Sequence, residues 1–408
     1  MERRYTVISA DSHCGADVVD YRPYLAARFH DEFDAWAATY EVPFADLLAP
    51  IRYRNWDSDR RMAEHEADGI VAEVLFPNTV PPFFEEGNLV ALPPSETDYE
   101  RRWAGVQAHN RWVADFCSAF PGRRAGVVQV FVNRLEDALA EISWAAERVS
   151  LFGGILLPSI PPGSPLPPLY DPHYDPLWRL CQEVGAVINI HAGAGLPDYG
   201  ELEIARAIML VELPWFSHRP LWHLIFGGVL ERFPRLKISL TEQGVAWLPR
   251  GLETLDWFYG RMDPAGGAAE AVFFGAAAKG MSMKPSEYFA RNIWLGASYL
   301  RSSESELRPQ FGNDRVMWGD DYPHSEGTWP YSREALRVAF AGEDPDVVQR
   351  CVGTNAAELY GFDLEALAPL AARVGPLVEE IAVPIAAGDY PAKSTSNAFD
   401  TTQVLRAW

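Results

Sequence analysis

Asp11-Ser12-His13 places a carboxylate and an imidazole two residues apart, directly after the short apolar run Tyr5 to Ala10. In an extended chain the side chains repeat every two residues, so Asp11 and His13 point the same way and can address one atom. A metal ion requires that geometry, although a three-residue pattern also arises at ordinary strand-to-loop junctions. Candidate partners stand far downstream, each after another apolar run. His191 follows Ala186 to Ile190, Glu242 follows Lys237 to Thr241, and Asp320 and Asp321 follow Val316 to Trp318. Carboxylates gathered in one place repel each other unless a cation balances them, so a divalent metal is expected among these residues. Mixed nitrogen and oxygen donors suit zinc, manganese or iron and do not choose among them.

Bringing these residues together requires a particular order of elements. Asp57-Ser58 caps a helix that runs to Asp68 and stops at Gly69, before a second strand from Ile70 to Phe76. Helical patterns over Tyr99 to Phe120, Leu135 to Ser150 and Asp175 to Val184 alternate with apolar runs at Ala125 to Val130, Gly154 to Pro158 and Ala186 to Ile190. Glu201 to Phe233 reads as helical with breaks near Pro214 and at Arg219-Pro220. Asn292 to Gly296 and Val316 to Trp318 bring the strands to eight. Such alternation predicts an α/β fold, a (β/α)8 TIM barrel with its active site at the carboxyl ends of the strands.

Two segments are too long or too proline-rich for simple barrel loops, Tyr21 to Leu48 and Pro77 to Phe84, and are expected to be lid insertions or pocket walls. No linker divides residues 1–363, which form one barrel domain. Residues 364–408 form a C-terminal extension, helical over Leu364 to Ala382 and irregular over Pro384 to Phe399, that packs on the barrel or clasps a neighbouring subunit.

Over 408 residues, 48% are hydrophobic and 22% charged, with 14 Trp, 16 Tyr and 21 Phe, a composition with ample material for a large core. A net charge of −21 with no basic run argues against sequence-independent nucleic-acid binding. No stretch approaches a membrane span, and Met1-Glu2-Arg3-Arg4 leads straight into the first strand without a signal peptide, so a cytoplasmic location is expected. Cys14, Cys117, Cys181 and Cys351 are scattered and read as buried thiols. Among the other histidines, His65 lies between Glu64, Glu66 and Asp68 and reads as a solvated surface residue, and His223 as helix packing. For His30, His109 and His173 the sequence identifies no partner.

Asp11-Ser12-His13, Asn189-Ile190-His191, Gly227 to Pro234, Gly319-Asp320-Asp321-Tyr322-Pro323-His324 and Asn355 to Gly361 together resemble the amidohydrolase superfamily. The similarity is to its amidohydrolase-2 group, which includes the aminocarboxymuconate-semialdehyde and resorcylate decarboxylases, and it spans residues 5 to 363. The resemblance implies Asp11, His13, His191 and Asp321 as metal ligands, Asp321 rather than Asp320 because it directly precedes Tyr322-Pro323, with His324 close by. Two positions depart from the family. The sixth strand, usually followed by a catalytic histidine, ends at Glu242, and the fourth ends Leu156-Leu157-Pro158 without a bridging lysine or glutamate. Glu242 therefore replaces the histidine as general base or joins the ligands of a second ion, to which His218 could supply nitrogen.

Two chemistries follow from the resemblance. In one, a bound divalent ion activates water or clamps a carboxylate, with Asp321 or Glu242 taking the proton, for hydrolysis or non-oxidative decarboxylation of a small organic acid, amide or ester. The strand ends show no fixed cation for an acidic substrate, which counts against it. In the other, the resemblance extends to diterpenoid-pathway non-heme diiron monooxygenases, and the carboxylate-rich shell holds two irons for O2-dependent hydroxylation. Aromatic lids then enclose a bulky apolar substrate, terpenoid-like or thioester-linked. The oxidative chemistry is the preferred expectation, because it gives Glu242 a role and matches the aromatic segments. Assembly as a homo-oligomer is also expected.

Overall fold

The computed structural model describes residues 2–42, 45–48, 51–84, 92–193, 195–200, 202–263, 268–296, 298–310 and 312–400. Its centre is an eight-stranded sheet in sequential order: β1 Val7–Cys14, β2 Ile70–Pro77, β3 Arg124–Val128, β4 Phe152–Leu156, β5 Val187–His191, β6 Lys237–Thr241, β7 Ile293–Gly296 and β8 Val316–Met317. All neighbouring pairs are parallel. The ring closes between β8 and β1 through backbone hydrogen bonds. Ala10 N donates to Trp318 O (3.0 Å), Asp321 N to Asp11 O (2.8 Å) and His13 N to Tyr322 O (2.6 Å). The expected (β/α)8 barrel is therefore the fold.

Strands buried on both faces are read as unbroken apolar runs, and helices cover them from outside. The helix Ser58–Asp68 shows how local chemistry sets the ends. Asp57 accepts the Arg60 N–H at its start, and Gly69 takes the left-handed turn at its end with φ of 94°. The helix Glu203–Phe226 departs from expectation, since it runs through both Pro214 and Pro220. Its buried face, including Pro220, Leu221, Leu224 and Ile225, packs on the barrel, and that burial outweighs the lost backbone donors.

The first strand also differs from its expected span, because β1 continues through Asp11 and His13 instead of stopping at Ala10. Between Ser9 and Ser12 it advances three residues while β2 advances only from Glu73 to Leu75, a bulge that re-aims the side chains at its carboxyl end.

The presumed aromatic lids fold inward on themselves. Phe33 and Trp36 of the helix His30–Ala37 pack on Phe83 at 6.1 and 5.8 Å, and Trp36 stacks on Tyr40 at 4.9 Å. The extension packs on its own barrel. Leu367 and Ala371 of the helix Leu364–Val374 join Ile8 and Val71 in one apolar cluster, and Tyr5 N donates to Pro376 O (3.0 Å). No helix among the described residues is long and apolar enough to cross a membrane.

A buried ionic network supports the site strand. Glu73 of β2 receives Arg61 Nη2 at 2.7 Å and Arg124 Nε at 3.2 Å, and Arg61 Nη1 donates to the His13 carbonyl at 2.6 Å. His65 is buried here too, 3.2 Å from Glu73 and 3.6 Å from Asp320, so it is not the solvated residue its acidic neighbours suggested. One helix face turns it inward while those neighbours lie to either side. Burial opposes ionisation of Glu73, but Arg61, His65 and Arg124 hold its carboxyl well below the usual range. Breaking such a pair strands a buried charge, so Glu73→Gln should lose about 3–5 kcal/mol in urea unfolding. A loss under about 1 kcal/mol would show that the network does not support the barrel.

Candidate metal centre

The carboxyl ends of β1, β5 and β8 deliver one cluster. Asp11 Oδ1 lies 3.4 Å from His13 Nε2 and 3.6 Å from His191 Nε2, and His13 Nε2 lies 3.2 Å from Asp321 Oδ1. Asp11 Oδ1, His13 Nε2, His191 Nε2 and Asp321 Oδ2 are buried without a hydrogen-bond partner among the described residues. Donors bound at about 2.0–2.2 Å to one ion stand roughly 3–3.5 Å apart, close to these separations. The opposite ring nitrogens are occupied: His13 Nδ1 meets the Pro77 carbonyl and His191 Nδ1 the Ala192 carbonyl, both at 3.2 Å. If each Nδ1 carries the proton, each Nε2 lone pair faces the cluster, the arrangement a ligating histidine uses. Asp11, His13 and His191 therefore fit a divalent cation as one group, and Asp321 forms a second group with His13 and His324 that shares His13.

Without a cation the charges balance through protons. Burial favours neutral Asp11, yet the facing imidazoles of His13 and His191 outweigh it and hold the carboxyl below its ordinary range. Burial likewise opposes charge on His13, and Asp11 and Asp321 raise it well above its usual value.

Several neighbours set the geometry. Glu242 and Asp321 both have φ of 57° and Ser298 has 48°, so the chain turns through the left-handed region after β6, β7 and β8 alike. Each such residue costs of order 1 kcal/mol or more, strain that is characteristic of functional sites. Ser298, which sequence reasoning did not single out, donates its hydroxyl to Asp11 Oδ2. Gly319 lies against Asp11 so closely that a Cβ there would come within 2.6 Å of the Asp11 Cβ. His324 Nδ1 bonds Asp321 Oδ1 at 2.7 Å, its Nε2 meets Asn78 Oδ1 at 3.1 Å, and its ring lies 4.1 Å from that of His13.

Asp320 points elsewhere. Its Oδ1 accepts Ser9 Oγ at 2.6 Å and Ser12 Oγ at 3.0 Å, on the side of His65. The choice of Asp321 over Asp320 agrees with this placement. Glu242 Oε2 stands 3.5 Å from His191 Nδ1 at the edge of the cluster, and it also approaches Asp321 and Glu326. Burial, helped by repulsion from Asp321, pushes Glu242 up to about 7. His218 does not join the described groups of potential ligands. It stacks on Trp247 at 3.7 Å, bonds the backbone at Gln243, and is pushed down to about 3 by burial. The nitrogen expected from it for a second ion is therefore not supplied.

A cavity of about 350 Å³ opens beside the cluster, lined by Glu242, Ser298, Tyr299, Arg301, Glu304 and Glu326 with the aliphatic Leu210 and Leu213. Arg301 is the cation that the strand ends had seemed to lack. It escaped notice because it lies five residues beyond the end of β7, where no motif marks it.

A barrel that gathers two imidazoles and two carboxylates at its carboxyl end defines a metal-dependent enzyme of the amidohydrolase type. The family model described as Amidohydrolase matches residues 16–362, and the chain belongs to that family. A curated relative, 2-amino-3-carboxymuconate-6-semialdehyde decarboxylase from Dictyostelium discoideum, is 25% identical over 322 residues, 76% of this chain and 77% of its own. Among solved structures, 5-carboxyvanillate decarboxylase from Sphingomonas paucimobilis superposes with a TM-score of 0.64 at 21% identity, covering 88% of this chain and 100% of that one. A dihydroxybenzoic acid decarboxylase from Polaromonas sp. JS666, with bound manganese and 2-nitroresorcinol, gives 0.60 at 16% identity, covering 88% and 97%. These structural likenesses establish the fold.

The expected O2-dependent hydroxylation by a diiron centre is overturned. The named relatives are decarboxylases, and the metal named among them is manganese, not iron. The structural supports for it also fall away, since His218 faces Trp247 and the aromatic segments pack on each other.

The fit to a cation predicts ligand-linked stability. Mn2+ at 100 times its dissociation constant should stabilise the wild type by about 2.7 kcal/mol, seen as a rise in melting temperature that Asp11→Asn and His13→Ala lose. An equal rise in these variants would place the ion elsewhere.

Proposed function

We propose that the protein catalyses metal-dependent, non-oxidative decarboxylation of a small, polar aromatic or unsaturated carboxylic acid. The observation that carries this reading is the buried imidazole–carboxylate cluster, with a cavity beside it that Glu242 and Ser298 border and that Arg301 lines as its single described cation. The activity of the relative from Dictyostelium discoideum supports the reaction type, and the manganese in the dihydroxybenzoic acid decarboxylase supports manganese as the ion. Asp11, His13, His191 and Asp321 are the proposed ligands. When bound, the ion supplies Lewis-acid charge that fixes and polarises a substrate oxygen.

Glu242 is the proposed proton donor. It borders the cavity with 26% of its side chain exposed and stands 3.5 Å from His191 Nδ1 at the edge of the cluster. Its proton goes to the carbon that bears the departing carboxylate. The bond between that carbon and the carboxylate then breaks, its electron pair returns to the ring or double bond, and CO2 leaves. Glu242 recovers a proton from water in the cavity.

Manganese-loaded protein should release CO2 from a hydroxybenzoate or unsaturated-diacid panel under strictly anaerobic conditions. Turnover that requires O2 would overturn the reading. Glu242→Gln should lower kcat by about 10²–10⁴ while bound metal is retained. Loss of the metal instead would move Glu242 among the ligands.

Homo-oligomeric assembly is proposed on separate grounds. Leu210, Val211 and Trp215 on one helix and Val272, Phe273 and Phe274 on another are large apolar side chains left exposed, the kind of surface a second copy would cover. Light scattering should give at least a dimer at micromolar concentration, and a monomer would refute it.

A further inference from the structure

Behind the cluster a further imidazole lies between two carboxylates and takes no part in the reaction proposed above. His65, on the helix Ser58–Asp68, presents Nε2 to Glu73 Oε2 at 3.2 Å and Nδ1 to Asp320 Oδ2 at 3.6 Å. These are close approaches and not hydrogen bonds. Both ring nitrogens and Asp320 Oδ2 are buried without a hydrogen-bond partner among the described residues. The ring packs on Tyr322 at 4.7 Å. Other charged groups around it are engaged elsewhere: Arg61 bonds Glu73 and the His13 carbonyl, Arg124 bonds Glu73, Ser58 and the Phe116 carbonyl, and Asp68 accepts the Ser332 N–H at 3.2 Å.

Asp320 needs such a neighbour. Its Oδ1 accepts the hydroxyls of Ser9 and Ser12, but hydroxyls supply no full charge, and His65 is its one ion-pair partner among the described residues. Asp320 also shares a peptide bond with Asp321. The Asp320 N–H donates to Ser9 Oγ at 3.0 Å, the Asp320 carbonyl accepts the Thr328 N–H at 2.8 Å, and the Asp321 N–H reaches the Asp11 carbonyl at 2.8 Å. With the turn pinned at those points, one carboxylate of the pair faces His65 and the other stands 3.2 Å from His13 Nε2. A buried carboxylate deprived of its counter-charge is driven out of its pocket, and displacing Asp320 moves the peptide that carries Asp321.

We infer that His65 is a positioning residue of the metal centre: it answers the buried charge of Asp320, keeps that carboxylate on the far side of the turn, and so holds Asp321 toward His13. It acts through Asp320 and makes no contact with the ligand cluster itself. Glu73, fixed in turn by Arg61 and Arg124, faces the other ring nitrogen, so the ionic network behind β1 and β2 is joined to the turn after β8 through one side chain. The inference rests on the cation reading of the cluster and not on the reaction assigned to it.

Binding of Mn2+ alone to the full-length protein, followed by electron paramagnetic resonance, tests it without turnover. His65→Gln should weaken Mn2+ binding by about 10–100-fold and alter the spectrum of the bound ion, as loss of a residue that orients a ligand does. Asp320→Asn in the His65→Gln background removes the charge that His65 answers, so the double variant should recover most of the lost affinity and the wild-type spectrum. A side chain that only fills space gives losses that add and no such recovery. Affinity and spectrum unchanged in His65→Gln, or additive losses in the double variant, overturn the inference and leave the cation site standing. If His65→Gln does not fold, the double variant decides: folded and binding Mn2+ supports the inference, and unfolded overturns it. A wild type that binds no Mn2+ overturns the cation reading and the inference together.

Discussion

Negative charge confined at the mouth of the barrel is the constraint on which the rest of the structure depends. Asp11 and Asp321 are fully buried, Asp320 is buried beside them, and Glu242 stands at the edge. Carboxylates at such depth are tolerable only beside compensating charge. Protonated His13 and His191 can supply it, and so can a divalent ion that leaves both rings neutral. The seam hydrogen bonds between β8 and β1 run through Asp11, His13 and Asp321 themselves, so the contacts that close the barrel also set the spacing of its donors.

A second ring of interactions keeps those donors where the first requires them. Asp320 and Asp321 are consecutive yet serve opposite sides, one anchored by Ser9 and Ser12 and the other facing His13 and His324. Behind β1, Arg61 grips the His13 carbonyl while Glu73 neutralises the guanidinium. On β5, Asn189 reaches the carbonyls of Gly153 and Ile155 and accepts Tyr360 Oη at 2.8 Å, which explains why Asn189-Ile190-His191 and Asn355 to Tyr360 form part of one pattern: one anchors the strand and the other anchors the anchor.

The barrel and most of the cluster were legible because both follow from local rules. An apolar run buried on two faces marks a strand, and a polar residue directly after it marks a carboxyl end. Asp11, His13 and His191 obey that rule, and Asp321 was marked instead by its place before Tyr322-Pro323. Arg301 and Ser298 do not, since one lies beyond a short turn and the other depends on a backbone angle that no residue type announces. His65 was hidden for another reason. Its acidic sequence neighbours suggested water, but on a helix adjacent residues face different ways, and only tertiary contact reveals that its own direction is inward. The aromatic segments misled because composition records that large rings are present and not whether they face a cavity or each other. The prolines in Glu203–Phe226 misled because a local penalty of about 3 kcal/mol each is smaller than what burial of the helix face can offset.

Glu242 shows how these scales combine. The residue sits in a left-handed conformation that a glycine or asparagine would adopt at lower cost, and its carboxyl adds negative charge where Asp11 and Asp321 already stand. Neither feature helps the protein fold. Ser298 and Asp321 share the same strained conformation at the neighbouring strand ends, and all three border the cluster or its cavity. Strain and charge that recur at one mouth, against the preferences of the residues that bear them, accord with the proposed reaction, in which the mouth would hold a cation on the inner side and an acid on the outer. In that reading a carboxyl at the boundary passes a proton to the acid, which would account for a residue so poorly suited to its backbone.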